Sequence, residues 1–302
     1  MKKFLTKIFL FFIAIAVLDF LFGRACQYLN SHSKGGGVRS RYYVCKESNE
    51  DVLVFGSSRA KHHYVPNVIE DSLGLSCYNT GEDGNGIIYC YGVLKMITRR
   101  YLPQMIIYDV SEFDIRKDDN TKYLDLLKAY YDEPGIDTIF WTVEPKTRLM
   151  MLSNLYRYNT TCLRMIGNYL YNMGNYPKGY SALSRTMNYE PEREAVQKEI
   201  SDVDEIKIFY FEQFVKFAKS NGIELICCVS PFYRESANTT YCEPIIKLCN
   251  DYNVPFYYFG TISQFSHNKQ LFQDRNHLND IGAHLYTELV VKTIRESHNQ
   301  NN

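Results

Sequence analysis

Short apolar runs that end at small-residue loops and give way to helical periodicity limit this chain most. Val52–Phe55 is such a run, rich in β-branched residues, and it stops at Gly56. Similar runs lie at 75–78, 105–110, 223–230 and 254–259. Buried parallel strands read this way, because helices cover both of their faces. Between the runs the spacing predicts helices over 66–73, with Pro66 in the first turn, and over 87–100. Further helices are expected over 192–221, closed by Gly222, and over 241–252. In the last helix Ile281, Leu285, Leu289 and Ile294 recur at helical spacing and are expected to dock it on the sheet. Strand and helix in alternation imply a three-layer α/β/α sandwich with a mostly parallel sheet of about five strands.

Residues 1–25 stand apart. Lys2, Lys3 and Lys7 give the segment a basic start, and from Phe4 to Phe22 it is just long enough to span a bilayer. We read it as a signal or anchor, with Gly23-Arg24-Ala25 as a possible cleavage site. Either reading places the domain outside the cytoplasm, at the periplasm or cell surface, anchored or secreted. Residues 26–50, with Gly35-Gly36-Gly37 in their middle, read as a linker. The α/β domain is expected over 51–297, with a short tail at 298–302. Within it, 115–200 changes character to short Tyr-, Leu- and Met-rich helices such as 123–131 and 149–171. This reads as a helical insertion at the sheet's C-terminal edge, placed where it could cover a site. Asn-x-Thr triplets begin at Asn159 and Asn238.

Lys plus Arg equals Asp plus Glu at 34 each, so nothing favours nucleic acid as a partner. The nine cysteines include no C-x-x-C pair, which removes zinc-ribbon and thioredoxin-type readings. Cys227 and Cys228 lie in an apolar run and read as small core residues. No metal or other cofactor is expected.

Candidate chemistry sits at the two ends of the domain. Gly56-Ser57-Ser58 follows the first strand, where a sharp turn presents a hydroxyl above the sheet edge. Asp274-Arg275-Asn276-His277 precedes the last helix. Asp and His three apart can set a carboxylate behind an imidazole, the arrangement a base-activated serine needs. Between them, Asn79–Gly86 (NTGEDGNG) is a glycine-rich loop able to aim N–H groups at an anion. His62 and His63 are expected in a solvated loop, and Arg59 as a contact for an anionic substrate group.

In their order, these three blocks resemble the SGNH, or GDSL-like, hydrolase superfamily. The resemblance covers about 51–110 and 205–297 and implies a flavodoxin-like sheet. It implies Ser58 as nucleophile, His277 as general base and Asp274 as its orienting partner. The N–H groups of Ser58 and Gly84 would hold the oxyanion. The Gly-Ser-Ser variant, the N-terminal anchor and the insertion look like membrane-anchored members linked to O-acetylation or acyl transfer on extracellular glycans. The function so implied is a serine esterase or O-acyltransferase on carbohydrate esters. One departure matters. The family's third block places an asparagine after the third strand, where this chain reads Asp109-Val110-Ser111-Glu112-Phe113-Asp114. An oxyanion donor is worth about 3–4 kcal/mol, so Asn85, Ser111 or Arg59 must substitute or catalysis suffers. That departure leaves a non-catalytic glycan-binding or assembly protein as one rival. A second is metal-dependent phosphoester chemistry through Asp109, Asp274 and His277.

Overall fold

The computed structural model describes residues 1–174, 176–191, 202–234 and 240–301. The start of the helix expected over 192–221 and the Asn238 triplet lie outside the described residues. The chain divides into two compact units. One comprises 44–120 and 176–302, the other 1–43 and 121–175.

The larger unit is built on a parallel sheet of β1 (Val52–Gly56), β2 (Cys77–Asn79), β3 (Met105–Asp109), β4 (Glu224–Val229) and β5 (Phe256–Tyr258). The spatial order is β2-β1-β3-β4-β5, all parallel. Chain order reverses between β1 and β3, which opens a crevice at the strands' C-terminal ends, the usual place for a site in such folds. β1, β2 and β3 are buried along their whole length. Successive side chains point to opposite layers. Val52 and Val54 enter one core with Ile107, Tyr286 and Ile294. Phe55 and Tyr108 face the other way and meet Phe214 edge-on at 5.3 Å each.

The flanking layers are α3 (Ser58–His63), α4 (Pro66–Leu73) and α12 (Asp280–Asn301) on one side, and α5 (Ile87–Ile97) with α10 (Glu205–Ser220) on the other. α11 (Glu243–Asp251) packs against α10. Asp204 caps α10, its carboxylate accepting from the Ile206 and Lys207 N–H groups. Three of the four residues expected to dock α12 do so: Ile294 is buried, and Leu285 and Leu289 are partly buried against the sheet core. Ala283, Tyr286, Val290, Val291 and Ile294 are buried, whereas Ile281 is 62% exposed. Spacings of three, four and seven define the buried stripe, and Tyr286 is its largest member, so the docking face is wider than the aliphatic set alone. α12 also runs through most of the span expected as a tail.

The smaller unit corrects two expectations. Its α1 spans Lys2–Ser31, and α2 (Gly36–Lys46) fills much of the span read as linker. The glycine triplet is not a spacer there. The Lys34 N–H donates to Asn168 O and the Gly36 N–H to Gly174 O, so this backbone packs closely on the 168–174 segment. The insertion divides as well. Residues 121–175 fold with 1–43, whereas 176–191 return to the sheet unit. The first part supplies α6 (Ile136–Val143), α7 (Thr147–Met150), α8 (Asn154–Tyr158) and α9 (Cys162–Leu170). Cys26, Val38, Tyr158 and Met165 form its small core. α1 is long and apolar enough to cross a membrane.

Candidate active site

β1 ends at Gly56, whose φ of +139° admits no ordinary side chain. A Cβ there would lie 2.6 Å from the Asp109 carbonyl oxygen and 2.9 Å from Ala60 Cβ. The chain can therefore turn tightly from β1 into α3 and present Ser58 as the first helical residue. The Ser58 N–H lies outside the helical ladder for the same reason. Ser58 is half-buried; Ser57 beside it is buried, with no partner for its Oγ.

From the other end of the sheet unit, the loop before α12 brings in His277. Ser58 Oγ lies 2.8 Å from His277 Nε2. His277 Nδ1 lies 3.0 Å from each oxygen of Asp274. Asp274 Oδ1 also accepts the N–H groups of Asn276 and His277 at 2.9 and 3.0 Å. These bonds assign the tautomer: Nδ1 carries the hydrogen given to Asp274, and Nε2 accepts from the serine. Burial pushes the Asp274 carboxyl up, but the His277 and backbone bonds outweigh it and hold the group below its ordinary value. The structure thus brings together the serine, histidine and aspartate singled out at the two ends of the domain.

The glycine-rich loop is fastened beside α3. Asn79 Nδ2 donates to the carbonyls of Ala60 and Tyr64, and its Oδ1 accepts the Gly81 N–H. The Glu82 N–H donates to Gly56 O at 3.2 Å. Asp83 pairs with Lys61 at 2.8 Å and with His62 Nε2 at 3.1 Å. Burial opposes ionisation of Asp83, yet His62 and Lys61 hold its carboxyl well below the usual range. Gly84, next in the chain, has φ +68° and is exposed. Asn85 is buried; its Nδ2 donates to Asp83 O, and its Oδ1 is buried without a partner.

The other expected oxyanion donors are engaged. Ser111 Oγ donates to buried Asp114, which also accepts the Tyr108 hydroxyl and the Ser111 N–H. Arg59, expected to meet substrate, is 6% exposed. Its Nη2 donates to Val110 O at 2.6 Å and its Nη1 to Ser230 O at 3.3 Å. Its Nε lies 3.6 Å from Asp109 and its guanidinium stacks on Phe232 at 4.4 Å. Arg59 is thereby a buried joint between the ends of β1, β3 and β4. Asp109 is tied to it, to the Tyr64 hydroxyl and to the Ser230 N–H, and not to Asp274 or His277. Among the described residues no group of three His, Cys, Asp or Glu side chains converges as a metal site.

Neither histidine after Ser58 is solvated. His62 is wedged between the Ser181 carbonyl at 2.6 Å and Asp83, with its ring 5.7 Å from that of His277. His63 is fully buried. Its Nε2 accepts the Leu278 N–H at 3.0 Å and its Nδ1 meets Ser230 Oγ at 2.9 Å, while Ser230 Oγ reaches Asp109 at 3.2 Å. His63 therefore grips the backbone one residue beyond His277. No local pattern signals this, because the partners lie 167 and 215 positions away.

Burial above all, with His277, Arg59 and His62 adding, pushes His63 well below its ordinary value. The unfolded chain, with His near 6.5, binds a proton the folded chain refuses. Stability should be full above about pH 6.5 and fall as pH drops below it, by up to about 1.4 kcal/mol per pH unit. Melting temperatures from pH 7.5 to 5 check this; His63→Gln should flatten the curve over that window.

No family model matches the chain, and no curated protein matches it. Among solved structures, the chain is similar to a G-D-S-L family lipolytic protein from Desulfitobacterium hafniense DCB-2. The identity is 12%, over 80% of this chain and 98% of that chain, with a TM-score of 0.39. It is also similar to the acetyl xylan esterase AlAXEase, at 12% identity, over 82% and 98%, with a TM-score of 0.39. A platelet activating factor structure from Streptococcus pneumonia is similar at 11% identity, over 94% and 98%, with a TM-score of 0.43. The five-stranded parallel sheet in the order β2-β1-β3-β4-β5, with helices on both faces, is a three-layer α/β/α sandwich.

Proposed function

We propose that the chain is a serine esterase or O-acyltransferase that acts outside the cytoplasm on carbohydrate esters. The observation that carries this reading is the hydrogen-bonded series Ser58 Oγ, His277 Nε2, His277 Nδ1 and the Asp274 carboxylate. A serine hydroxyl is too weak a nucleophile alone, and an imidazole oriented by a carboxylate is what activates it. His277 takes the Ser58 proton as Oγ attacks the ester carbonyl carbon. The proton passes to the departing alcohol, leaving an acyl group on Ser58. Water, deprotonated by His277, then releases the acid; a sugar hydroxyl in the same place receives the acyl group instead. The Ser58 and Gly84 N–H groups hold the oxyanion. Asn85 is the side-chain donor, since Ser111 and Arg59 are committed elsewhere and one hydrogen of its Nδ2 has no assigned partner. The lysines ahead of the apolar part of α1 support an orientation with the sheet unit on the far side of the membrane.

Fluorophosphonate labelling of the full chain tests the reading. Adduct on the Ser58 peptide, absent in Ser58→Ala and His277→Ala, is expected. A folded chain that takes no label counts against catalysis. It favours instead a glycan-binding protein, the reading prompted by the lack of an asparagine in the stretch Asp109–Asp114. Asn85→Ala should lower kcat by about 10²–10³ with little change in KM, as for loss of one oxyanion donor. Steady-state kinetics on an acetylated sugar measures both.

A further inference from the structure

The smaller unit has a surface that a water-facing unit does not need. Phe4–Phe22 covers about 28 Å of helix, close to the hydrocarbon thickness of a bilayer. Near its far end, the Asp19 side chain reaches from α1 to another element. Its carboxylate accepts the Ser153 hydroxyl at 2.9 Å and the Asn154 and Leu155 N–H groups at 2.8 Å each, at the start of α8. One turn on, Gly23 lies so close to Asn154 that a Cβ would fall 2.3 Å from its side chain. The start of α8 is therefore held at the height of residues 19–23, where hydrocarbon gives way to headgroups.

On α7, α8, α9 and the turns that join them, large apolar side chains are exposed, with Arg148, Asn159, Thr160 and Arg164 exposed among them. Leu149, Leu152, Leu155, Leu163, Ile166 and Leu170 are 76, 77, 60, 81, 40 and 53% exposed. α9 is apolar on two sides: Met165 and Cys162 face the unit's core, whereas Leu163, Ile166 and Leu170 form an outward stripe at spacings of three and four. Tyr171, 68% exposed, follows the stripe. At the same height a polar cavity of about 240 Å³ is lined by Phe20, Gly23, Arg24, Asp132, Asn154 and Arg157 among others. An apolar face of this extent on a water-facing surface is unusual, and tyrosines and arginines at its border suit a membrane interface.

We infer that α7, α8 and α9 form a platform seated in the lipid interface beside α1, in the leaflet away from the lysine-bearing end. The occupant of the apolar face is the bilayer, continuous with the lipid around α1. α1 is then a retained part of the fold, because cleavage after Ala25 would remove Asp19 and Gly23 from their contacts with α8. This inference is independent of the esterase reading.

The chain has one tryptophan, so Trp141→Phe gives a silent background for the test. Into it, Leu163→Trp, Leu155→Trp, Phe12→Trp or Ile281→Trp is placed singly, each at an exposed position. The full chain is reconstituted in phosphatidylcholine and phosphatidylglycerol vesicles, with or without acyl-chain-brominated phosphatidylcholine. Tryptophan at 163 and 155 should emit at short wavelength and lose most of its intensity to the brominated lipid, as at position 12. Position 281 should be unaffected. Long-wavelength emission at 163 and 155, quenched by acrylamide and not by bromine, overturns the inference. Short-wavelength emission unaffected by bromine also overturns it, since a protein partner then covers the face. A membrane-extracted chain that begins at Cys26 overturns it as well.

Discussion

With Ser58 replaced by alanine, hydrolysis of an activated acetyl ester falls by about 10⁶-fold, and His277→Ala falls as far. The two losses do not add, because the hydroxyl and the imidazole act as one unit, joined at 2.8 Å. Asp274→Asn loses somewhat less, on the order of 10⁴-fold, since the amide no longer demands the tautomer that leaves Nε2 free to accept. Activity should also fall on the acid side. Asp274 is held below its ordinary value, so its carboxylate orients the imidazole through mildly acidic pH and that support is lost only as the carboxyl itself takes a proton. kcat/KM against pH for the wild type and Asp274→Asn measures this. An Asp274→Asn enzyme with unchanged kcat/KM would remove the carboxylate from the mechanism.

Arg59→Met should destabilise the fold by about 3–5 kcal/mol, a fall of roughly 6–20 °C in melting temperature for a unit of this size. The cost arises less from the lost attraction than from what remains. Asp109 is fully buried, and without the guanidinium its carboxylate has no counter-charge. Burial already pushes that carboxyl up against the pull of Arg59, so the variant drives it further toward the protonated form. The carbonyls of Val110 and Ser230 lose their donor at the same time. Arg59→Lys keeps the charge but not the fork, and should fall between wild type and Arg59→Met. Thermal melts and KM values together separate the two roles considered for this residue. A substrate contact would raise KM and leave the melting temperature alone, whereas a buried joint lowers the melting temperature first.

Both sets of residues meet at the C-terminal edge of the sheet, yet they differ in how far they could be read from the chain. Asp274 and His277 are three apart, so their pairing is a local property of one loop and shows in the sequence. The Gly56 turn is local as well, because a run ending in glycine before a helical pattern fits few other conformations. Arg59, one position beyond the serine, read as a contact for an anionic substrate group. Its partners at 109, 110 and 230 come from β3 and β4, and only strand pairing brings them there. His62 and His63 failed for the same reason, their partners being at 83, 181, 230 and 278.

Short apolar runs and helical spacing, proline and glycine positions, and the Asp-x-x-His block are short-range features, and they determined the α/β layers and the chemical parts. Tertiary structure alone decided that Ser58 and His277, 219 positions apart, share a hydrogen bond. It also decided that Arg59 and His63 are spent inside the fold and that residues 121–175 join α1 rather than the sheet unit. Contacts between distant positions leave no period in a single sequence, because each depends on the packing of whole elements rather than on the residues beside it.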